Sequence, residues 1–161
     1  MTLTHLDATG RPRMVDVGTK NASARSATAE GQIRMSQKAF DAVETEGGPK
    51  GNVLRTAELA GTMAAKRTHE LIPLCHPIGL DHVEVSAMLD RDLPGVRVCV
   101  TTKVTAKTGI EMEALTAVSV ALLTVYDMVK AAGHDLEIDR IRLIEKSGGA
   151  SGDWKRTDSS V

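Results

Sequence analysis

The stretch from Met112 to Ala132 constrains the fold more than any other part of the chain. It has few polar positions, and at helical spacing its apolar residues fall on most sides rather than on one stripe. Gly133 is placed to end such a helix. A surface helix of a monomer keeps a wide polar face, so this one needs cover on more than one side. A subunit interface is the simplest second cover, and an oligomer is expected. Asp127 and Lys130 interrupt the run near its end, so no membrane span is read there.

The remaining segments supply what such a helix can pack against. Residues 1–23 are polar, with Gly10, Pro12 and Gly18, and predict an irregular or mobile arm. Arg25 to Met35 has Ile33 and Met35 at alternating positions and predicts a strand. Ser36 can cap a short helix carrying Ala39, Phe40 and Val43, closed by Glu46-Gly47-Gly48-Pro49. A second helix is expected from about Val53 to Thr68, where Val53, Ala57, Ala60, Met63 and Ala64 recur at helical spacing. Two prolines make Ile72-Pro73-Leu74-Cys75-His76-Pro77 a stiff, extended loop. Val83, Val85, Ala87 and Leu89 alternate as a strand; Pro94-Gly95 turns; Val96, Val98, Val100 and Thr102 form the next strand. Ile138 to Ile144 predicts a last strand, and about 147–161 a Gly/Ser-rich, flexible tail. The order is strand, helix in two pieces, strand, strand, helix, strand. That is the βαββαβ pattern of an α+β, ferredoxin-like fold: an antiparallel sheet with helices on one face. At 161 residues, a single domain spanning 1–161 is expected.

Composition excludes several function classes. The net charge is −1, so no global field holds a nucleic-acid backbone, and an anionic ligand must meet a local cluster of cations. Aromatics make up 2% of the chain and are scattered at Phe40, Tyr126 and Trp154, which is no stacking platform for single strands. Cys75 and Cys99 form no CxxC pair, so cysteine-rich metal sites and a disulfide framework are not expected. Reduced thiols and a start without a basic, then apolar, leader predict a cytoplasmic protein with no signal peptide.

Several polar residues stand out against this background. Asp127 and Lys130 are three apart on one helical face. Spacing alone supports an ion pair favoured by the helix dipole as well as an acid/base pair in a partly desolvated pocket. Glu111 and Glu113 open the same helix; acids are expected in a first turn, but these could also hold amino or hydroxyl groups of a ligand. Glu113 and Asp127 lie about 21 Å apart along the axis, too far for one small substrate to touch both within one chain. Cys75 and His76 are adjacent in an extended loop and should point to opposite sides, which makes a poor metal motif and a poor nucleophile–base pair. Lys50 precedes the second helix, where a cation opposes the dipole unless an anion is present. Lys66 and Arg67 suit that helix's end. Lys146 with Ser147-Gly148-Gly149 offers charge and backbone N–H groups to an anion, though a flexible tail explains the string as well. Arg25 is uninformative alone. The pattern as a whole points to an anionic small molecule and acid/base chemistry without a metal or redox cofactor.

These segments resemble the cyclic pyranopterin monophosphate synthase family. The resemblance rests on Met14-Val15-Asp16-Val17, Lys66-Arg67-Thr68, Leu71 to Pro77, Val83-Glu84-Val85, Lys107-Thr108-Gly109, Glu111 to Thr116, Tyr126-Asp127-Met128 and Lys146 to Gly149. The PLCHP and GxEMEALT strings are the most specific, and the matches run in order over nearly the whole chain. Lys50-Gly51-Asn52 carries Asn where some members carry Asp, which leaves Lys50 in place. The resemblance implies a phosphorus–oxygen lyase that converts 3′,8-cyclo-7,8-dihydro-GTP to cyclic pyranopterin monophosphate with release of pyrophosphate, in molybdenum-cofactor biosynthesis. It implies a ferredoxin-like homohexamer, a trimer of dimers with sites between subunits, fed by an upstream radical S-adenosylmethionine enzyme. It makes Asp127, Lys130, Lys50 and His76 the catalytic set. It makes Leu74, Cys75, His76, Met112 and Glu113 substrate-binding, with Glu111 in the same pocket. Arg25, Lys66, Arg67 and Lys146 would surround the triphosphate and the rearranging base. No cofactor is required by these residues; Mg²⁺ assistance of pyrophosphate release is left open. A non-catalytic nucleotide-binding regulatory domain is the alternative from another class, and a structural partner that uses the apolar helix only for assembly is a third.

Overall fold

The computed structural model describes residues 7, 9–46 and 50–157. In chain order the elements are β1 (Ser23–Arg34), α1 (Gln37–Glu46), α2 (Val53–Ala65), α3 (Thr68–Leu71), β2 (His82–Asp90), β3 (Gly95–Ala106), α4 (Glu111–Val129), β4 (Glu137–Ser147) and β5 (Trp154–Lys155). The strands form one sheet in the order β2-β3-β1-β4-β5, with every neighbouring pair antiparallel.

Side-chain alternation builds the core. Val96, Val98, Val100, Thr102 and Val104 of β3 and Ala27, Ala29 and Ile33 of β1 are buried. They lie beneath α4, which packs on β1, β3 and β4, while α2 packs on β2 and on α4. The expected α+β sheet-and-helix architecture is therefore present. Gly31 lets α4 approach β1 closely: a Cβ there would come within 2.8 Å of Leu122 Cδ1 and of Val118 Cγ1. Gly61 does the same for α2, since its Cβ would lie 3.1 Å from the Ala117 carbonyl.

α4 is long and apolar enough to cross a membrane by length and composition alone, but it is the core helix here, and more than half of it is buried inside the fold. Ala114, Ala117, Val118, Ala121, Leu122 and Val125 are all inaccessible to solvent. Leu123 nevertheless stays exposed, as do Leu59, Met63 and Leu71 of the neighbouring helices. Part of the second cover that the sequence analysis expected from a subunit interface is supplied within the chain by α2, which packs along α4.

Three local expectations are corrected. The second helix breaks after Ala65, because Arg67 takes φ −115° and the Thr68 hydroxyl donates to the carbonyls of Ala64 and Ala65. The Gly/Ser-rich tail folds back: Gly148 and Gly149, at φ +83° and +78°, reverse the chain, and β5 pairs with Glu145 and Lys146. The loop at Ile72 begins as a turn, with the Cys75 N–H donating to the Ile72 carbonyl at 3.1 Å. Ser36 caps α1 as expected, its Oγ accepting from the Ala39 N–H; the closing residues Gly47–Pro49 lie outside the described ones. So do residues 1–6 and 8 of the arm and 158–161 of the tail. Residues 9–22 of the arm form no helix and no strand beyond a single bridge at Pro12.

Candidate active site

α2 runs back along α4. Gly61 lies over Ala117 and Ala121, and Lys50, just before α2, reaches Asp127 near the end of α4. The end of α2 therefore stands beside the start of α4. The candidate residues divide between these two ends of the pair.

At the start of α4 a cavity of about 350 Å³ opens between three segments. The loop contributes Leu74, Cys75 and His76; α4 contributes Glu111, Met112 and Glu113; the arm contributes Val15, Val17 and Lys20. Cys75 and His76 thus face one cavity, not opposite sides, because the turn at Ile72 replaces the extended backbone that alternation assumes. His76 Nε2 donates to the Val15 carbonyl at 2.8 Å, since a carbonyl can only accept. In the neutral ring that leaves Nδ1 as the acceptor nitrogen.

Glu113 is only 4% exposed despite its place in a first turn. Burial pushes its carboxyl up to about 7, and the charge of Glu111 adds to the rise against a backbone hydrogen bond that lowers it. Burial also raises the Cys75 thiol, and Glu113 adds to that. Glu111 is held differently. Lys146 Nζ lies 3.1 Å from its Oε1 and also donates to Ser151 Oγ at 2.9 Å. Lys146 thus sits at the end of β4 with a carboxylate partner, not on a loose tail.

Arg25, Lys66 and Arg67 do not line this cavity. Arg25 Nε donates to the Ala106 carbonyl at 3.0 Å, and its guanidinium lies where a Cβ on Gly149 would stand. Lys66 and Arg67 are exposed at the end of α2, and neither is ion-paired to another described residue. Arg67 lines a separate groove with Ala60, Met63 and Leu71.

At the far end of α4, one carboxylate holds two ammonium groups. Asp127 Oδ1 is 2.7 Å from Lys130 Nζ, and its Oδ2 is 2.9 Å from Lys50 Nζ. Hydrogen bonds from Lys130 and then Lys50 hold the Asp127 carboxyl down to about 2, and Lys130 is raised in return. The Asp127 side chain is 57% exposed, so a single chain does not provide the partly desolvated pocket that the sequence suggested. Lys50 likewise needs no bound anion to explain its position, because Asp127 supplies the negative charge. Among the described residues, no group of three or more His, Cys, Asp and Glu side chains is arranged to hold a metal ion.

The contributions of Lys20, Val15 and Val17 were missed by periodicity, because the arm has none. The Met14-Val15-Asp16-Val17 string was the available signal.

Comparison with known proteins gives the family. The MoaC family model matches residues 14–149. Among curated relatives named cyclic pyranopterin monophosphate synthase, that of Methylobacterium sp. (strain 4-46) is 58% identical over 152 residues, covering 94% of this chain and 95% of the relative. That of Brucella ovis is 52% identical over 159 residues, covering 99% and 96%. That of Trichodesmium erythraeum is 53% identical over 152 residues, covering 94% and 92%.

Proposed function

The chain belongs to the MoaC family and is an enzyme of molybdenum-cofactor biosynthesis with cyclic pyranopterin monophosphate synthase activity, and we propose how its residues carry that reaction. The substrate is a GTP-derived small molecule, 3′,8-cyclo-7,8-dihydro-GTP. The guanine-derived ring opens and is rebuilt as a pyranopterin, a cyclic phosphate closes, and pyrophosphate leaves.

The observation that carries the assignment of the site is the convergence of Leu74, Cys75, His76, Glu111, Met112 and Glu113 on one cavity. Ring opening and closure move protons several times, which needs groups that exchange protons near neutral pH. Glu113 meets that need with a carboxyl at about 7. His76 Nδ1 offers a second proton acceptor whose orientation the Val15 carbonyl fixes. Glu111 and Glu113 suit the N–H donors of a guanine-derived ring. Arg25, Lys66, Arg67 and Lys146 serve the phosphates, whose charge must be stabilised for pyrophosphate to depart. Mg²⁺ carried on the phosphates would add to that stabilisation and needs no cage of protein ligands.

Asp127, Lys130 and Lys50 belong to the same chemistry through a second chain. Along one α4 they are about 21 Å from Glu113, and a two-fold axis can set the end of one helix near the start of its partner. The exposed Leu59, Met63, Leu71 and Leu123 offer the surface for such a contact. The assembly is a homohexamer, a trimer of dimers, of single-domain ferredoxin-like subunits. It works in the cytoplasm downstream of a radical S-adenosylmethionine enzyme.

Incubation of the purified protein with 3′,8-cyclo-7,8-dihydro-GTP tests the reaction. The expected outcome is a pterin monophosphate and pyrophosphate in equal amounts. Tight binding without turnover would instead support the regulatory nucleotide-binding reading.

A further inference from the structure

We propose that Lys20, delivered by the N-terminal arm, binds a phosphate oxygen of the cyclised nucleotide in the cavity at the start of α4. The proposal rests on the reading of that cavity as the substrate site.

Lys20 is the only lysine or arginine among the residues that line the cavity. Its ammonium is ion-paired to no described residue. The cavity contains two carboxyl groups, and neither neutralises it: Glu111 is engaged by Lys146 at 3.1 Å, and Glu113 is buried. A cation on a cavity wall without a counter-ion is the counterpart of an anionic ligand.

The arm is placed to present it. The Lys20 N–H donates to the Val17 carbonyl at 3.1 Å, closing a turn, and the Gly18 N–H donates to Asp16 Oδ1 at 2.8 Å. Two side chains pin this turn to the rest of the site. Lys107 Nζ donates to the Gly18 carbonyl at 2.7 Å, and His76 donates to the Val15 carbonyl at 2.8 Å. Lys107 precedes Thr108 and Gly109, which also line the cavity, so the arm is anchored on the approach to α4. His76 therefore holds the arm as well as facing the ligand.

Chemistry selects the phosphate end of the substrate. An ammonium is a donor-only point charge and is matched best by an anionic oxygen. The substrate's anionic oxygens are on its phosphates, while the N–H groups of its ring system pair with Glu111 and Glu113.

Steady-state kinetics of the full chain and its Lys20→Met, Lys20→Arg and Glu113→Gln variants test the proposal, with pyrophosphate as a product inhibitor. Lys20→Met should raise KM about tenfold or more, as expected for a lost charge-assisted hydrogen bond, with a smaller effect on kcat. It should weaken pyrophosphate inhibition in parallel, and Lys20→Arg should restore most of both. The proposal is overturned if Lys20→Met leaves KM and pyrophosphate inhibition within about twofold of the parent. It is equally overturned if Lys20→Arg is as impaired as Lys20→Met, since a role independent of charge would then account for the loss. If Lys20→Met is silent but Glu113→Gln is impaired, Lys20 alone loses its role. If both are silent, the cavity itself is not the substrate site.

Discussion

Glu113 and Asp127 stand at opposite ends of α4, about 21 Å apart along its axis, and the fold drives their carboxyls in opposite directions. Burial at the start of the helix takes Glu113 up to about 7. Two ammonium groups at the other end take Asp127 down to about 2. At neutral pH one is poised to give or take a proton, and the other is a fixed anion that organises Lys50 and Lys130. Carboxyls separated in this way can serve different steps of one reaction.

The raised carboxyl of Glu113 makes stability depend on pH. An acid whose folded value lies above its unfolded value stabilises the fold below the unfolded value, and that contribution is lost as pH rises through the folded one. For Glu113 the window runs from 4.5 to about 7. Urea unfolding across this range should show stability falling by on the order of 2–3 kcal/mol in the parent protein. In Glu113→Gln that component should vanish. The same variant should lose any limb of the pH–rate profile near neutrality, and an unchanged limb would assign that titration to another group.

Asp127→Asn keeps shape and removes charge. Exposed ion pairs contribute little to folding, so its thermal unfolding should match the parent's. Turnover should drop by ~10²–10⁴-fold, the usual effect of losing a group that assists proton transfer. Unaltered turnover in a folded, normally assembled variant would remove Asp127 from the mechanism.

Gly31→Ala should destabilise the protein although glycine is normally a poor strand residue. The new Cβ would stand 2.8 Å from both Leu122 and Val118, so α4 must shift or its side chains must leave their rotamers. Overpacking of this kind costs about 1–3 kcal/mol. Differential scanning calorimetry would detect it as a lowered melting temperature, whereas a neutral result would mean that the helix–sheet spacing relaxes freely.

How much of this was legible beforehand depended on periodicity. α4 was visible from its apolar run, and β2 and β3 from alternation, because burial imposes those periods directly on composition. Contacts between distant segments left no such mark. Cys75 and His76 share a cavity because of one turn at Ile72, and proline-rich sequence did not announce it. β5 was hidden because it is short and depends on two left-handed glycines to bring it back to β4. Glu113 looked like an ordinary first-turn acid; its burial follows from the stripe it shares with Thr116 and Ala117, both buried. Lys20 lies in a segment without period, and its place became apparent only through the anchors at Gly18 and Val15. The strings that resemble a family include residues at both α4 ends, and helix geometry alone sets Glu113 and Asp127 about 21 Å apart within one chain.

Mixing two inactive variants tests the two-chain site most directly. Glu113→Ala and Asp127→Asn proteins are dissociated together and reassembled, with subunit exchange followed by mass spectrometry. Where the two residues meet across an interface, each mixed dimer holds one intact site and one doubly altered site. Random pairing makes about half of the dimers mixed, so activity should recover to roughly a quarter of the parent's. Complete exchange with no recovered activity would contradict the account, because it would mean that both residues act within the same chain.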